Sequence, residues 1–157
     1  MIMGVASPIV GLVDYHAGNL RSIENALQHI GAQVRRVRAS AELDDCSHVV
    51  LPGVGAFGFC AQRLAASGIV PTLERWALKQ RQPLLAICVG MQLLGDYSEE
   101  SPGVPGLGWI GGKIEHLVAV PGVRVPHVGW NAVQFEHAYG TFAVGVQADF
   151  YFDHSFA

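Results

Sequence analysis

The strongest constraint on this fold is a recurring unit, a short apolar run that stops in a glycine-bearing turn and gives way to an amphipathic stretch. Pro8 to Val13 is apolar and ends in Asp14-Tyr15-His16-Ala17-Gly18. His48-Val49-Val50-Leu51 leads into Pro52-Gly53-Val54-Gly55, and Pro83-Leu84-Leu85-Ala86-Ile87 leads into Cys88-Val89-Gly90. Runs this short, bounded by turn residues, read as strands buried on both faces. After the first, Asn19 can cap a helix that places Leu20, Ile23, Leu27 and Ile30 on one face, and Gly31 is placed to stop it. Val34 and Val37 fall in a further strand. Helices are expected near Phe57, around Leu73 to Leu78, and after Cys88. Alternating strand and helix predicts right-handed βαβ units: an α/β fold with a mostly parallel central sheet flanked by helices.

The character changes at the polar loop Ser98-Glu99-Glu100-Ser101-Pro102-Gly103. Beyond it lie only short β-like pieces: Trp109-Ile110, Lys113 to Val118, Val123 to Val125, Ala132 to Phe135, Thr141 to Val146 and Phe150 to Phe152. These predict antiparallel strands added to the α/β sheet in the C-terminal third. A length of 157 residues fits a single domain, 1–157. The net charge of −3, with no basic grouping larger than Arg35-Arg36 and Arg38, speaks against a nucleic-acid partner. The three cysteines, Cys46, Cys60 and Cys88, form no C-x-x-C pair and suit free thiols in a reducing compartment. No zinc-ligand spacing is present. Met1 to Val13 has neither the basic start of a signal peptide nor the length of a membrane span, so a cytoplasmic protein is expected.

In open α/β sheets ligands bind beyond the carboxyl ends of strands. Three segments occupy such ends: Asp14 to Gly18, Pro52 to Gly55 and Cys88 to Gly90. A thiol on a strand-to-helix corner is the geometry of a nucleophile elbow, and the small Ala86 and Gly90 on either side allow so tight a bend. A helix starting at the thiol would favour its thiolate. The alternative is a buried structural cysteine. Pro52-Gly53-Val54-Gly55 is either a plain strand-to-helix turn or a loop whose amides hold an oxyanion; no Lys-Ser/Thr follows, as a phosphate loop would require. Gln92, one helical turn past the cysteine, either faces the same cleft or the surface. Of the seven histidines, His29 and His48 read as structural or solvent-facing. His16, His127 and His154 lie at turns or strand ends, and any of them could serve as base to Cys88.

At these residues the chain resembles the class-I glutamine amidotransferases, with their flavodoxin-like architecture. More narrowly it is similar to the glutaminase subunits that serve imidazole glycerol phosphate synthesis. The resemblance rests on six ordered blocks: Asp14 to Ser22, Leu51 to Phe57, Ala86 to Leu94, Gly106 to Trp109, Pro126-His127-Val128-Gly129-Trp130-Asn131, and Tyr151 to Phe156. It implies Cys88 as the nucleophile that forms a γ-glutamyl thioester, an oxyanion hole from Gly53, Val54 and Val89, and a glutamine pocket from Gly55, Gln92, Glu100, His154 and Ser155. It implies no metal and no cofactor. The partner it implies is a (β/α)8-barrel cyclase subunit that receives ammonia for histidine biosynthesis, docked near Asn19, Arg21, Pro126, His127, Trp130 and Asn131. The family's elbow usually begins with glycine where Ala86 stands. Its catalytic histidine and glutamate fall in a His-Pro-Glu stretch after the block holding Tyr151 to Phe156. These 157 residues are therefore expected to be an incomplete and catalytically impaired domain. Two other readings are a non-catalytic partner-binding module and an amidotransferase subunit of a modified-sugar pathway.

Overall fold

The computed structural model describes residues 7–122 and 124–157. They fall into two compact units, one ending at Ile114 and one running from Glu115 to Ala157.

The first unit is built on four parallel strands: β1 (Ile9–Val13), β2 (Gln33–Val37), β3 (His48–Leu51) and β4 (Leu84–Ala86), in the order β2-β1-β3-β4. Strand periodicity decides what each side of the sheet buries. Val10, Leu12 and Val50 face α1 (Leu20–His29), packing with Leu20, Ile23 and Leu27. Val13, Val37, Val49 and Leu51 face the other way, against Phe57, Cys60 and Leu64 of α2 (Phe57–Ala66) and Leu73 of α3 (Val70–Glu74). As expected, the Asn19 side chain accepts the Ser22 amide at the start of α1 (3.4 Å), and Gly31 leaves the helix at a φ of +88°.

The helix expected around Leu73 to Leu78 is α3 followed by one π-turn, Arg75–Lys79, which opens the spacing so that Trp76 stays buried. The helix expected after Cys88 is a single turn, α4 (Val89–Gln92). The carbonyls that follow it are taken by a later segment. Leu93 O accepts the Leu107 amide (2.8 Å), Leu94 O accepts those of Trp109 and Ile110 (both 2.9 Å), and Gly95 O accepts that of Gly108 (3.0 Å). Residues 106–110 thus form a strap that terminates α4. Trp109-Ile110 is therefore not the strand its composition predicts. Two short parallel strands, β5 (Tyr97–Ser98) and β6 (Lys113–Ile114), close this unit.

The second unit is a hairpin. β7 (His127–Gln134) pairs antiparallel with β8 (Gln147–His154) over all eight residues of each, with Trp130 opposite Tyr151 and His127 opposite His154. The expected pieces Ala132 to Phe135 and Phe150 to Phe152 fall within or beside these longer strands. Thr141 to Val146 is loop, because Gly140 and Gly145 turn the chain at positive φ. Of Val123 to Val125, Val123 lies outside the described residues and Val125 belongs to no strand. Among the described residues no helix is long and apolar enough to cross a membrane.

Candidate functional site

Three chain segments meet at the carboxyl edge of the sheet. The first is the corner after β4. Cys88 sits at φ 55°, ψ −124°, a conformation that costs a side-chain-bearing residue on the order of 1–3 kcal/mol. Hydrogen bonds on both sides hold it there: the Gly90 amide donates to Ile87 O (3.0 Å), and the Met91 and Gln92 amides donate to Cys88 O (2.8 and 3.2 Å). The thiol is exposed at this corner, whereas Cys46 and Cys60 are buried; all three are free. The expectation of an elbow is met, and the alternative of a core cysteine is not.

The second segment is the glycine turn after β3. Gly53 and Gly90 are in backbone contact: a Cβ on Gly53 would fall on the Gly90 amide nitrogen, and one on Gly90 would fall on Leu51 O. Neither position admits a side chain without moving the main chain. The two glycines therefore bring residues 53 and 54 beside Val89, next to the thiol. Gly55 has φ 99°, and a Cβ there would meet nothing within 4 Å, so the turn opens into free space. The amides of Gly53, Val54, Gly55 and Val89 donate no hydrogen bond among the described residues. A row of uncommitted N–H groups beside a thiol is what a developing oxyanion requires. Gln92 is half-buried on α4, one turn from Cys88.

The third segment is Ser98 to Ser101. Ala56 precedes α2 and has no side chain that can cap it. The cap comes instead from 43 residues away: Glu100 Oε2 accepts the Phe57 amide (2.7 Å) and Ser101 Oγ accepts the Gly58 amide (2.9 Å). Glu100 thus lies directly after the glycine turn. The unfilled cap at Ala56 was the sequence signal for this contact, although it could not say which residue fills it.

Behind the glycine turn lie groups that sequence reasoning missed. The Tyr15 hydroxyl donates to Pro52 O (2.5 Å) and the Cys60 thiol to Val54 O (3.4 Å). Burial raises the Tyr15 hydroxyl and the Cys60 thiol above their ordinary pKa values, so both stay protonated and able to donate. Beside Tyr15, the carboxylate of Asp14 is 6% exposed and pairs with Arg38 Nε and Nη2, each at 2.7 Å. Burial pushes its pKa up, but Arg38 and the His16 amide outweigh that and hold it below the usual carboxylate value.

The remaining expected residues belong to other chain segments. His16, at φ 63°, and Asn19 are exposed on the turn after β1, and Arg21 is exposed on α1. In the second unit, His154 Nε2 and His127 Nδ1 are 3.0 Å apart, His127 Nε2 meets the Asn131 amide nitrogen at 2.5 Å, and His154 Nδ1 donates to Phe156 O (3.1 Å). Ser155 follows at the end of β8 and is half-buried. On the opposite face of the hairpin, Val128, Trp130 and Tyr151 are exposed, with Trp130 edge-on to Tyr151. Pro126 precedes β7 and is exposed as well.

Comparison with known proteins bears on what this arrangement serves. The family profile described as glutamine amidotransferase class-I matches residues 11–157. Imidazole glycerol phosphate synthase subunit HisH 2 of Parasynechococcus marenigrum is 42% identical over 149 residues, covering 94% of this chain and 69% of that protein. Subunit HisH of Zymomonas mobilis is 48% identical over 133 residues, covering 82% of this chain and 62% of its own. The chloroplastic imidazole glycerol phosphate synthase hisHF of Arabidopsis thaliana is 43% identical over 126 residues, 80% of this chain and 21% of that one. The chain thus spans roughly two thirds of the two bacterial relatives and a fifth of the plant protein. A solved structure described as a glutamine amidotransferase superposes with a TM-score of 0.69 at 19% identity, over 92% of this chain and 70% of that one, and supports the fold.

Proposed function

Since the chain belongs to the class-I glutamine amidotransferase family, on the branch of the HisH subunits of imidazole glycerol phosphate synthase, we propose that it hydrolyses glutamine to glutamate and ammonia at Cys88. The reaction begins with attack of the thiolate on the glutamine carboxamide, forming an S–C bond. The carbonyl oxygen becomes an oxyanion, held by amides of Gly53, Val54 and Val89. Its collapse breaks the C–N bond and releases ammonia. Water then cleaves the γ-glutamyl thioester to give glutamate and regenerates the thiol. Gly55, Gln92 and Glu100 hold the glutamine from the first unit. By family resemblance His154 and Ser155 also bind it, and the two units are parts of one amidotransferase domain.

The observation that carries this reading is the exposed thiol on a strained corner whose backbone abuts Gly53. A thiol with a merely structural role has no need of that conformation. Labelling with a chloroketone analogue of glutamine tests it. Cys88 should be modified, glutamine should protect it, and Cys88→Ala should abolish both labelling and turnover while leaving the fold intact. Labelling at Cys46 or Cys60 instead would overturn the reading.

The reaction also needs a base to take the thiol proton and return one to ammonia, and Cys88 Sγ has no hydrogen-bond partner among the described residues. We place that role on a His-Pro-Glu stretch of the kind found in the family. With such a stretch present, turnover should exceed that of residues 1–157 assayed by themselves by about 10³-fold or more. Equal rates with and without it would remove the proposal.

The ammonia acceptor is proposed to be a barrel-shaped cyclase subunit in histidine biosynthesis, in the cytoplasm. On the second unit its contacts are Pro126, His127, Trp130 and Asn131; on the first, Asn19 and Arg21. Trp130 supports this most directly, because 71% of so large an apolar side chain is left open to water.

A further inference from the structure

We propose that Tyr15 and Cys60 are positioning residues: they grip the glycine turn from the core side and thereby fix which way its amides point. The inference rests on the reading of Cys88 as a glutaminase nucleophile. Peptide groups are planar and trans, so each carbonyl points opposite the amide that shares its plane. Pro52 O is held by the Tyr15 hydroxyl, which sends the Gly53 N–H the other way, out of the core. Val54 O is held by the Cys60 thiol, which does the same for the Gly55 N–H. Two peptide planes are thus pinned, one on each side of the Gly53–Val54 peptide.

The pins are themselves immobilised. Tyr15 is 2% exposed and Cys60 is 0% exposed, and both side chains belong to the same packed core. A buried hydroxyl must keep a partner, so Tyr15 cannot release Pro52 O without leaving a polar group unsatisfied. Glycine makes the turn possible but does not choose its direction, because Gly53 and Gly55 can adopt many conformations. The direction therefore comes from α2 and from the turn after β1. Neither residue touches the thiol's substrate in this scheme; each acts through the main chain of residues 52–55.

The test compares two reagents on the same thiol. A chloroketone analogue of glutamine reacts through an oxyanion at its carbonyl, whereas iodoacetamide simply loses iodide. In Tyr15→Phe the ratio of chloroketone to iodoacetamide rates at Cys88 should fall by about tenfold, less than the loss of a whole oxyanion donor. Cys60→Ala should lower it less, and Cys60→Ser, which keeps a donor, should restore it. A merely structural role would change both rates together. Ratios within about twofold of the unsubstituted protein in Tyr15→Phe and Cys60→Ala would overturn this inference alone. So would a crystal structure of Tyr15→Phe with the Pro52–Gly53 peptide unmoved. If the unsubstituted protein resists the chloroketone while iodoacetamide modifies Cys88, the glutaminase reading falls, and this inference with it.

Discussion

The unit ending at Ile114 and the hairpin unit after it stabilise themselves in different ways. In the first, Leu12, Val37, Leu51, Phe57, Cys60 and Leu73 are wholly shielded from water. Among the described residues of the second, not one is fully buried. The hairpin relies on ring contacts: across the strands His127 stacks on Phe152 at 4.5 Å and Trp130 meets Tyr151 edge-on at 5.6 Å, and in the connecting loop Phe135 stacks on Phe142 at 4.3 Å. Such pairs add about 0.5–1.5 kcal/mol each beyond burial, and a two-stranded hairpin is marginal by itself. The comparison separates two jobs. The α/β unit has the rigidity to hold Cys88 in a strained conformation. The hairpin has a sheet face left over, which suits it to meeting another surface.

The most direct way to break this comparison is to damage the first core. Phe57→Ala should lower the unfolding free energy by about 3–5 kcal/mol in a urea titration. A loss below about 1 kcal/mol would show that burial there does not carry the stability. The hairpin counterpart is Trp130→Ala. Its stability should fall by only about 0.5–1.5 kcal/mol, the loss of the Tyr151 contact, while affinity for the cyclase partner should drop by about 2 kcal/mol or more in a binding titration. The reverse result would move Trp130 from docking surface to core.

A smaller effect sharpens the electrostatic side. Asp14→Asn should cost about 1–3 kcal/mol at neutral pH, because Arg38 loses its charged partner. The native carboxyl lies below its ordinary value. Its contribution is therefore fully present above the unfolded value of about 4 and is lost as the pH falls through the lower folded one. Denaturation of both proteins against pH should show their curves converging below about pH 4; a constant gap would mean that charge is not the cause. The smallest expected effect treats both units alike. Gly31 and Gly145 have φ of +88° and +82° with nothing near a would-be Cβ. Alanine at either should cost about 1–2 kcal/mol by backbone strain alone, whatever the burial around it. Unequal costs would mean that the hairpin loop relaxes where the α/β unit cannot.

How far each feature could be foreseen follows the range of the forces behind it. The strands β1 to β4, the start and stop of α1, and the elbow at Cys88 were legible because each depends on a few adjacent residues: an apolar run, an Asn cap, a glycine after the thiol. The hairpin was legible as antiparallel strand but not in its extent. From His127 to Trp130 half-buried and exposed residues alternate, but the apolar Val128 and Trp130 are the exposed ones and His127 and Gly129 the half-buried ones, so the first half of β7 does not read as a strand with a buried apolar face. The helix after Cys88 was legible in place but not in length, because nothing near Gln92 reveals that residues 107–110 bond the carbonyls of Leu93 to Gly95.

The amino-acid order alone determined that strands alternate with helices and that a thiol stands on a tight corner. Side-chain periodicity and glycine torsions act over a few residues and need no folded context. Only the tertiary structure decided what surrounds that corner: Tyr15 on Pro52 across 37 residues, Glu100 on Phe57 across 43, and Gly53 against Gly90. Those contacts form between chain segments that a packed core brings together. Hydrogen bonds and steric exclusion depend on distance in space, and separation along the chain does not record it.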